Sequence, residues 1–198
     1  MYPKLNSTLE RARKIPVPTH RKAVLEEVAA YVREKLASGQ TPRLNFICTH
    51  NSRRSQFSQI WAQTAAAYFG IEVECFSGGV ELTAFNERAV ASLIRSGFTI
   101  EQEGVNNPKY RVSFAANAPS IVAYSKLIDE TPSPFAAVMT CADADENCPF
   151  IPAAEKRIPL RYEDPKAFDD TPQEAEKYDE RSLQIASEMC SIFQNIAQ

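Results

Sequence analysis

Cys48 and Arg54 are separated by Thr49, His50, Asn51, Ser52 and Arg53, and Ser55 follows at once. A polar loop of that length can curl until its backbone N–H groups converge into a cup for a tetrahedral oxyanion. Arg54 at the rim would grip two oxygens through its planar fork. A helix beginning near Ser55 would add its positive N-terminal end. The same features favour the Cys48 thiolate and make it a nucleophile. A buried structural cysteine at a strand end fits poorly, because residues 49–55 are wholly polar.

A second set of reactive residues follows the apolar run 135–140. Cys141 and Cys148 lie seven positions apart, with Pro149 next. Zinc ligands come in closer pairs, and His20 and His50 are the chain's two histidines, so no metal site is expected. A redox pair accounts better for the spacing, with two incidental cysteines in an acidic loop as the alternative. Fully helical geometry would separate the two Cα atoms by about 10.5 Å. A disulfide tolerates roughly 7 Å, so the segment would have to bend or unwind to oxidise. Pro149 disfavours helix at Cys148 and loosens that end.

These two motifs, together with Asp164-Pro165, resemble the low-molecular-weight tyrosine phosphatase superfamily. More narrowly, they resemble the thioredoxin-coupled arsenate reductases within it. The resemblance runs from about Arg43 to the C-terminus and suggests a division into an N-terminal helical extension, 1–40, and a catalytic domain, 41–198. It implies that Cys48 is the nucleophile, Arg54 the oxyanion clamp, and Cys141 and Cys148 the resolving cysteines. Asp164 would be the general acid, and residues 49–55 would bind the oxyanion. Ser77 would support the loop by bonding Asn51. The implied partners are arsenate or phosphate and thioredoxin or a similar reductant, with no cofactor. Three positions depart from the family. His50 replaces a Gly, which would narrow the cup or alter its backbone. Arg53 replaces a second loop cysteine, and Gln59 replaces an acid.

The resemblance leaves open whether the cup serves arsenate reduction or a phosphatase forming a phosphocysteine. Against the phosphatase, Lys166 and Ala167 follow Asp-Pro where that branch carries aromatic residues, and Tyr162 could substitute only from the other side. A third reading is an oxyanion or redox sensor, which makes poor use of Asp164.

The elements that must position these residues alternate. Apolar spacing predicts a helix at 20–38 through Val24, Val28, Tyr31 and Leu36, packed outside the catalytic core or at a subunit contact. A strand at 43–48 and a helix at 55–69, stopped by Gly70, flank the cup. A strand at 71–76 and a helix at 86–96 capped by Asn86 follow. Weaker strands are expected at 98–100 and 110–114, further strands at 121–124 and 135–140, and a final helix at about 172–195. The expected fold is an α/β three-layer sandwich: a central parallel sheet with helices on both faces, plus an added N-terminal helix. The cup would sit at the carboxyl end of the first strand.

Composition agrees. At 198 residues the chain can bury a sizeable core as one domain. A net charge of −3 and a pI near 5.5 give no electrostatic footprint for nucleic acid. No stretch approaches the roughly 18 apolar residues of a membrane span, and the N-terminus lacks the apolar core of a secretory signal. Five cysteines, an odd number, suit a reducing cytoplasm. Cys75 and Cys190 are expected to be packing residues.

Overall fold

The computed structural model describes residues 1–147 and 150–198. In chain order, helices α1 (Pro3–Ala12) and α2 (Thr19–Ala37) precede β1 (Arg43–Cys48), α3 (Arg54–Phe69), β2 (Glu74–Gly79) and α4 (Glu87–Ser96). Next come β3 (Thr99–Glu103), β4 (Lys109–Ser113), β5 (Ile121–Ala123), β6 (Phe135–Met139), α5 (Ala142–Asn147), β7 (Ala154–Ile158) and α6 (Glu174–Ile196).

A parallel sheet in the order β2-β1-β6-β7 forms the centre. β6 is buried along its whole length. Its alternate residues serve opposite faces, as the pleat requires. Ala136 and Val138 join the large cluster containing Trp61, Tyr178 and Phe193. Phe135, Ala137 and Met139 join a smaller cluster with Cys141 and Ala144 of the α5 region. A parallel sheet covered on both faces is the α/β architecture expected from strand–helix alternation.

Gly70, with φ +69°, ends α3 in the left-handed conformation, and the Ile71 N–H returns to the Ala66 carbonyl. That bond explains why β2 starts at Glu74 and not at 71: Ile71 belongs to the helix cap. β2 instead runs on through Gly78 and Gly79, where a side chain has no room. A Cβ on Gly78 would lie 2.9 Å from the Ile128 Cα, and one on Gly79 2.8 Å from the Asn51 nitrogen. Asn86 caps α4 as expected, accepting from the Arg88 and Ala89 N–H groups.

Several elements differ from the sequence expectation. The strands expected near 98–100, 110–114 and 121–124 do not enter the parallel sheet. They build a separate antiparallel sheet, β3-β4-β5. β4 alternates Tyr110 and Val112 inward with Lys109 and Arg111 outward, the pattern of a one-sided antiparallel strand. β7 was not expected, because Ala-Glu-Lys-Arg-Ile carries the charges of an edge strand. α1 was also unexpected. Pro3 begins it, where a missing N–H is harmless, and Leu5, Leu9 and Ala12 are buried along one stripe. The segment 142–147, whose conformation the sequence leaves open, is helical.

In α2 the inward face uses Leu25, with Val24 only half-buried. Both N-terminal helices pack into the large core beside α6. Arg21 of α2 grips Glu188 of α6 with two bonds of 2.9 and 2.7 Å. The Tyr162 hydroxyl donates to the same carboxylate at 2.8 Å. The extension thus reaches the segment that carries Asp164.

Candidate active site

Cys48 ends β1 and the loop 49–53 leads straight into α3. Outward donors hold every loop carbonyl from 49 to 52. The Thr49 carbonyl accepts the Val80 and Glu81 N–H groups at 2.8 and 2.9 Å, and the Ser52 carbonyl accepts the Asn86 N–H at 3.0 Å. The His50 carbonyl accepts the Thr83 and Ser125 hydroxyls, and the Asn51 carbonyl accepts the Gln56 amide. In a planar trans peptide the N–H points opposite the preceding C=O. The loop's N–H groups therefore turn inward. Among the described residues none of the N–H groups of 50–53 has an acceptor.

Asn51 takes the left-handed conformation, with φ +46°, which Asn tolerates better than most residues. Its amide donates to the Ser55 Oγ at 2.8 Å, which leaves the Ser55 proton for the Cys48 Sγ at 3.0 Å. The substitution of Gly by His50 does not deform the cup. Position 50 is not a positive-φ residue, and its side chain points outward to Glu81 at 3.1 Å.

Arg54 donates to the Tyr162 carbonyl at 3.1 Å and to Asp164 at 2.7 Å. Its Nε is buried and has no partner among the described residues. A buried unpaired guanidinium N–H is costly, so the orphan marks where an oxyanion would accept. Nε and the spare hydrogen on the adjacent nitrogen form one edge suited to a bidentate grip. Arg53 faces away, donating to the Tyr178 hydroxyl at 2.8 Å and pairing with Asp169. It contributes backbone to the loop and its side chain to an anchor on α6.

Asp164 stands at the cup through its ion pair with Arg54. Its other oxygen accepts the Lys166 N–H, capping the turn Pro165–Phe168. Tyr162 cannot substitute for the missing aromatic wall. It is buried, tied to Glu188, and its ring lies under Arg21.

Cys141 comes beside the cup. The Thr140 N–H and hydroxyl both donate to the Ile47 carbonyl, at 2.7 and 2.8 Å. The Cys141 Sγ lies 3.5 Å from the Thr49 Oγ1 and accepts the Ala144 N–H at 3.3 Å. The Thr49 hydroxyl donates to Asp143 at 2.6 Å. Hydrogen bonds from Thr49 and Asn147 hold the Asp143 carboxyl below the usual carboxylate range. Cys148 lies outside the described residues.

Ser77 departs from the expected bond to Asn51. Its hydroxyl donates to the Gln59 Oε1 at 2.6 Å, and Gln56 stands between Ser77 and Asn51. Three participants escaped the sequence reading: Gln56, Asp143 and Lys126. The Lys126 N–H donates to the Asn51 Oδ1 at 3.0 Å. Gln56 carried a faint signal, as a polar residue on the inward face of an apolar helix. Cys75 and Cys190 are buried far from this chemistry in kind. Burial pushes the Cys75 thiol up strongly and the Cys190 thiol up to about 12, which leaves both inert. No cluster suited to a metal ion occurs among the described residues.

No protein-family model matches the chain. Over 120 residues, 61% of this chain and 76% of the relative, it is 30% identical to arsenate reductase 2 of Staphylococcus epidermidis. Over 129 residues, 65% of this chain and 78% of the relative, it is 29% identical to arsenate reductase of Bacillus subtilis. The fold resembles that of a low-molecular-weight protein tyrosine phosphatase from T. tengcongensis, at 15% identity and a TM-score of 0.54. That likeness covers 78% of this chain and 99% of the other.

Proposed function

Because the chain belongs to the arsenate reductase family, we propose that it reduces arsenate to arsenite through Cys48, Cys141 and Cys148. The cup receives the oxyanion on its loop N–H groups and on Arg54. The Cys48 thiolate attacks arsenic, and an As–O bond breaks, its oxygen leaving as water with a proton from Asp164. Cys141 then attacks the Cys48 sulfur. An S–S bond forms, the S–As bond breaks, and its electron pair stays on arsenic, taking it from As(V) to As(III). Cys148 next attacks Cys141, releasing Cys48 and leaving a Cys141–Cys148 disulfide. Thioredoxin or a similar dithiol protein then reduces that bond.

One observation carries this reading over simple phosphoryl transfer: a second thiol, Cys141, sits 3.5 Å from the hydroxyl of the residue that follows Cys48. Hydrolysis of a phosphoester has no use for it. The phosphatase reading draws on the cup, Arg54 and Asp164, which suffice for a phosphocysteine intermediate, but the buried Tyr162 offers no stacking surface for a phenol. The free thiols suit a reducing compartment, the cytoplasm. Residues 1–40 act as a buttress, bracing the Tyr162–Asp164 segment through Arg21 and Glu188. Arsenate-dependent NADPH oxidation coupled through thioredoxin and its reductase, measured beside p-nitrophenyl phosphate hydrolysis, tests the proposal. Hydrolysis without arsenate turnover would replace it with the phosphatase reading.

A further inference from the structure

Lys126 is 7% exposed, and burial lowers its ammonium to about 8. Its Nζ donates to the Ser77 Oγ at 3.2 Å and to the Tyr124 carbonyl at 3.3 Å. It also stands over the Tyr124 ring at 4.8 Å. Among the described residues no carboxylate pairs with it at ion-pair distance. Glu130 is the facing acid, but its oxygens accept the Tyr124 hydroxyl and the Leu127 N–H. Lys109 faces the same Tyr124 ring. Cys75, Gln59 and Glu130 share with Lys126 the walls of a cavity of about 800 Å³. Ser77 and Gln59, on β2 and α3, are neutral. An unpaired buried charge is unfavourable unless something uses it.

The bonds of the same residue lead to the nucleophile. The Lys126 N–H orients the Asn51 carboxamide, Asn51 orients the Ser55 hydroxyl, and Ser55 directs its proton at Cys48. The Lys126 carbonyl accepts the Gly79 N–H at 2.8 Å, tying it to the end of β2.

We propose that Lys126 is a positioning residue of the oxyanion cup, its buried ammonium fixing the backbone that orients Asn51 and supplying a positive charge behind the loop. The proposal rests on the oxyanion-cup reading above and extends it. Gln59 on α3 is neutral, and Glu130, occupied by the Tyr124 hydroxyl and the Leu127 N–H, does not pair with the ammonium at ion-pair distance, so its field reaches the bound dianion. The charge is present at neutral pH and lost as pH rises through about 8, so oxyanion affinity falls on the alkaline side.

The test is calorimetric binding of inorganic sulfate, a tetrahedral dianion across pH 6.5 to 10 that needs neither thiol exchange nor a reductant. Lys126→Met should bind sulfate roughly ten-fold more weakly than the wild type at pH 7, a shift of the size one buried charge produces at an effective dielectric near 20. The difference should shrink toward parity above pH 9, where the wild-type lysine is also neutral. Lys126→Arg, charged throughout, should lack the wild-type loss of affinity between pH 7 and 9. A Lys126→Met deficit independent of pH would mean a packing role and overturn the proposal, as would equal affinities at pH 7. Should Lys126→Met fail to fold, parallel pH curves for the wild type and Lys126→Arg would overturn it alone. A wild type that binds no sulfate at any pH would remove the cup reading and this inference together.

Discussion

The cup and the segment after Cys141 are neighbours held by different kinds of bond. Loop 49–53 is fastened by backbone and amide donors in buried surroundings, with Asn51, Ser55, Gln56 and Ser77 wholly inaccessible. α5 is fastened mostly by ion pairs at the surface. Asp145 binds Arg157 and Arg161, Glu146 binds Arg161, and Asn147 bonds Asp143. Buried, fully satisfied networks are rigid and expensive to break. Exposed ion pairs are weak, commonly 0 to about 1 kcal/mol each. A cup that must match a developing charge needs the first kind. Under the proposed relay, the segment whose thiols would travel between partners needs the second. On the proposed relay, rigidity and mobility are divided between two stretches that meet, among the described residues, at Cys48, Thr49, Cys141 and Asp143.

The largest effects should fall on the cup. Cys48→Ser should abolish both arsenate reduction and p-nitrophenyl phosphate hydrolysis. Arg54→Lys should lower kcat/KM for both by roughly a hundred-fold or more, because an ammonium cannot make the bidentate grip. Steady-state assays on the two substrates decide it. Most activity retained in Cys48→Ser would sink every catalytic reading.

The second prediction separates the two regions. Cys141→Ser and Cys148→Ser should each end multiple-turnover arsenate reduction while leaving p-nitrophenyl phosphate hydrolysis nearly intact. Cys141→Ser should stall before arsenite leaves. Cys148→Ser should release about one arsenite per enzyme and stop as the Cys48–Cys141 disulfide. Single-turnover arsenite measurement and peptide mapping distinguish them. Wild-type turnover in both variants would favour the phosphatase.

How far the sequence disclosed this division follows from what each residue must do alone. Cys48, Arg54 and the flanking strand and helix were legible because the spacing itself carries the chemistry. The central strands were legible because a buried parallel strand is a continuous apolar run, as in β6. The antiparallel β3-β4-β5 was legible only as strands, since alternation in β4 does not say which sheet it joins. β7 was hidden because the middle of the strand is charged. Lys126 was invisible: a lone lysine signals burial only when the fold closes over it. Ser77 bonds Gln59 and not Asn51, because Gln56 stands between them and no local pattern fixes its rotamer.

The third prediction tightens the cup and leaves α5 alone. Gly79→Ala would place a Cβ 2.8 Å from the Asn51 nitrogen and 2.9 Å from the Thr49 carbonyl oxygen. Both are backbone atoms of the loop, so the loop must shift. Displacements of this order cost on the order of a hundred-fold in rate. kcat/KM should therefore fall on both substrates, while alkylation of Cys141 changes little.

Asp164→Asn should have an effect that depends on the leaving group. An alkyl phosphate needs its oxygen protonated as it departs, whereas p-nitrophenolate leaves readily. Hydrolysis of the alkyl ester should slow roughly ten-fold more than that of the aryl ester, a fraction of the 10²–10⁴ that general acid catalysis supplies. Equal slowing would show that Asp164 serves only to hold Arg54, through the 2.7 Å bond between them.

The smallest effect should come from loosening α5. Asp145 joins Arg157 on β7 and Arg161 just beyond it to the middle of the helix. Its own side chain is only 10% exposed, but the two arginines are 29% and 44% exposed, so solvent screens the pairs. Asp145→Asn keeps the shape and removes the charge, at about 0.5 to 1 kcal/mol of local stability. The segment should open more often, by a factor of roughly two to five, while the melting temperature hardly moves. Alkylation of Cys141 by iodoacetamide should quicken by that factor with Cys48 unaffected. Were Cys48 to quicken equally, the cup and the redox segment would be opening as one unit, and the division between a rigid cup and a mobile thiol carrier would be wrong.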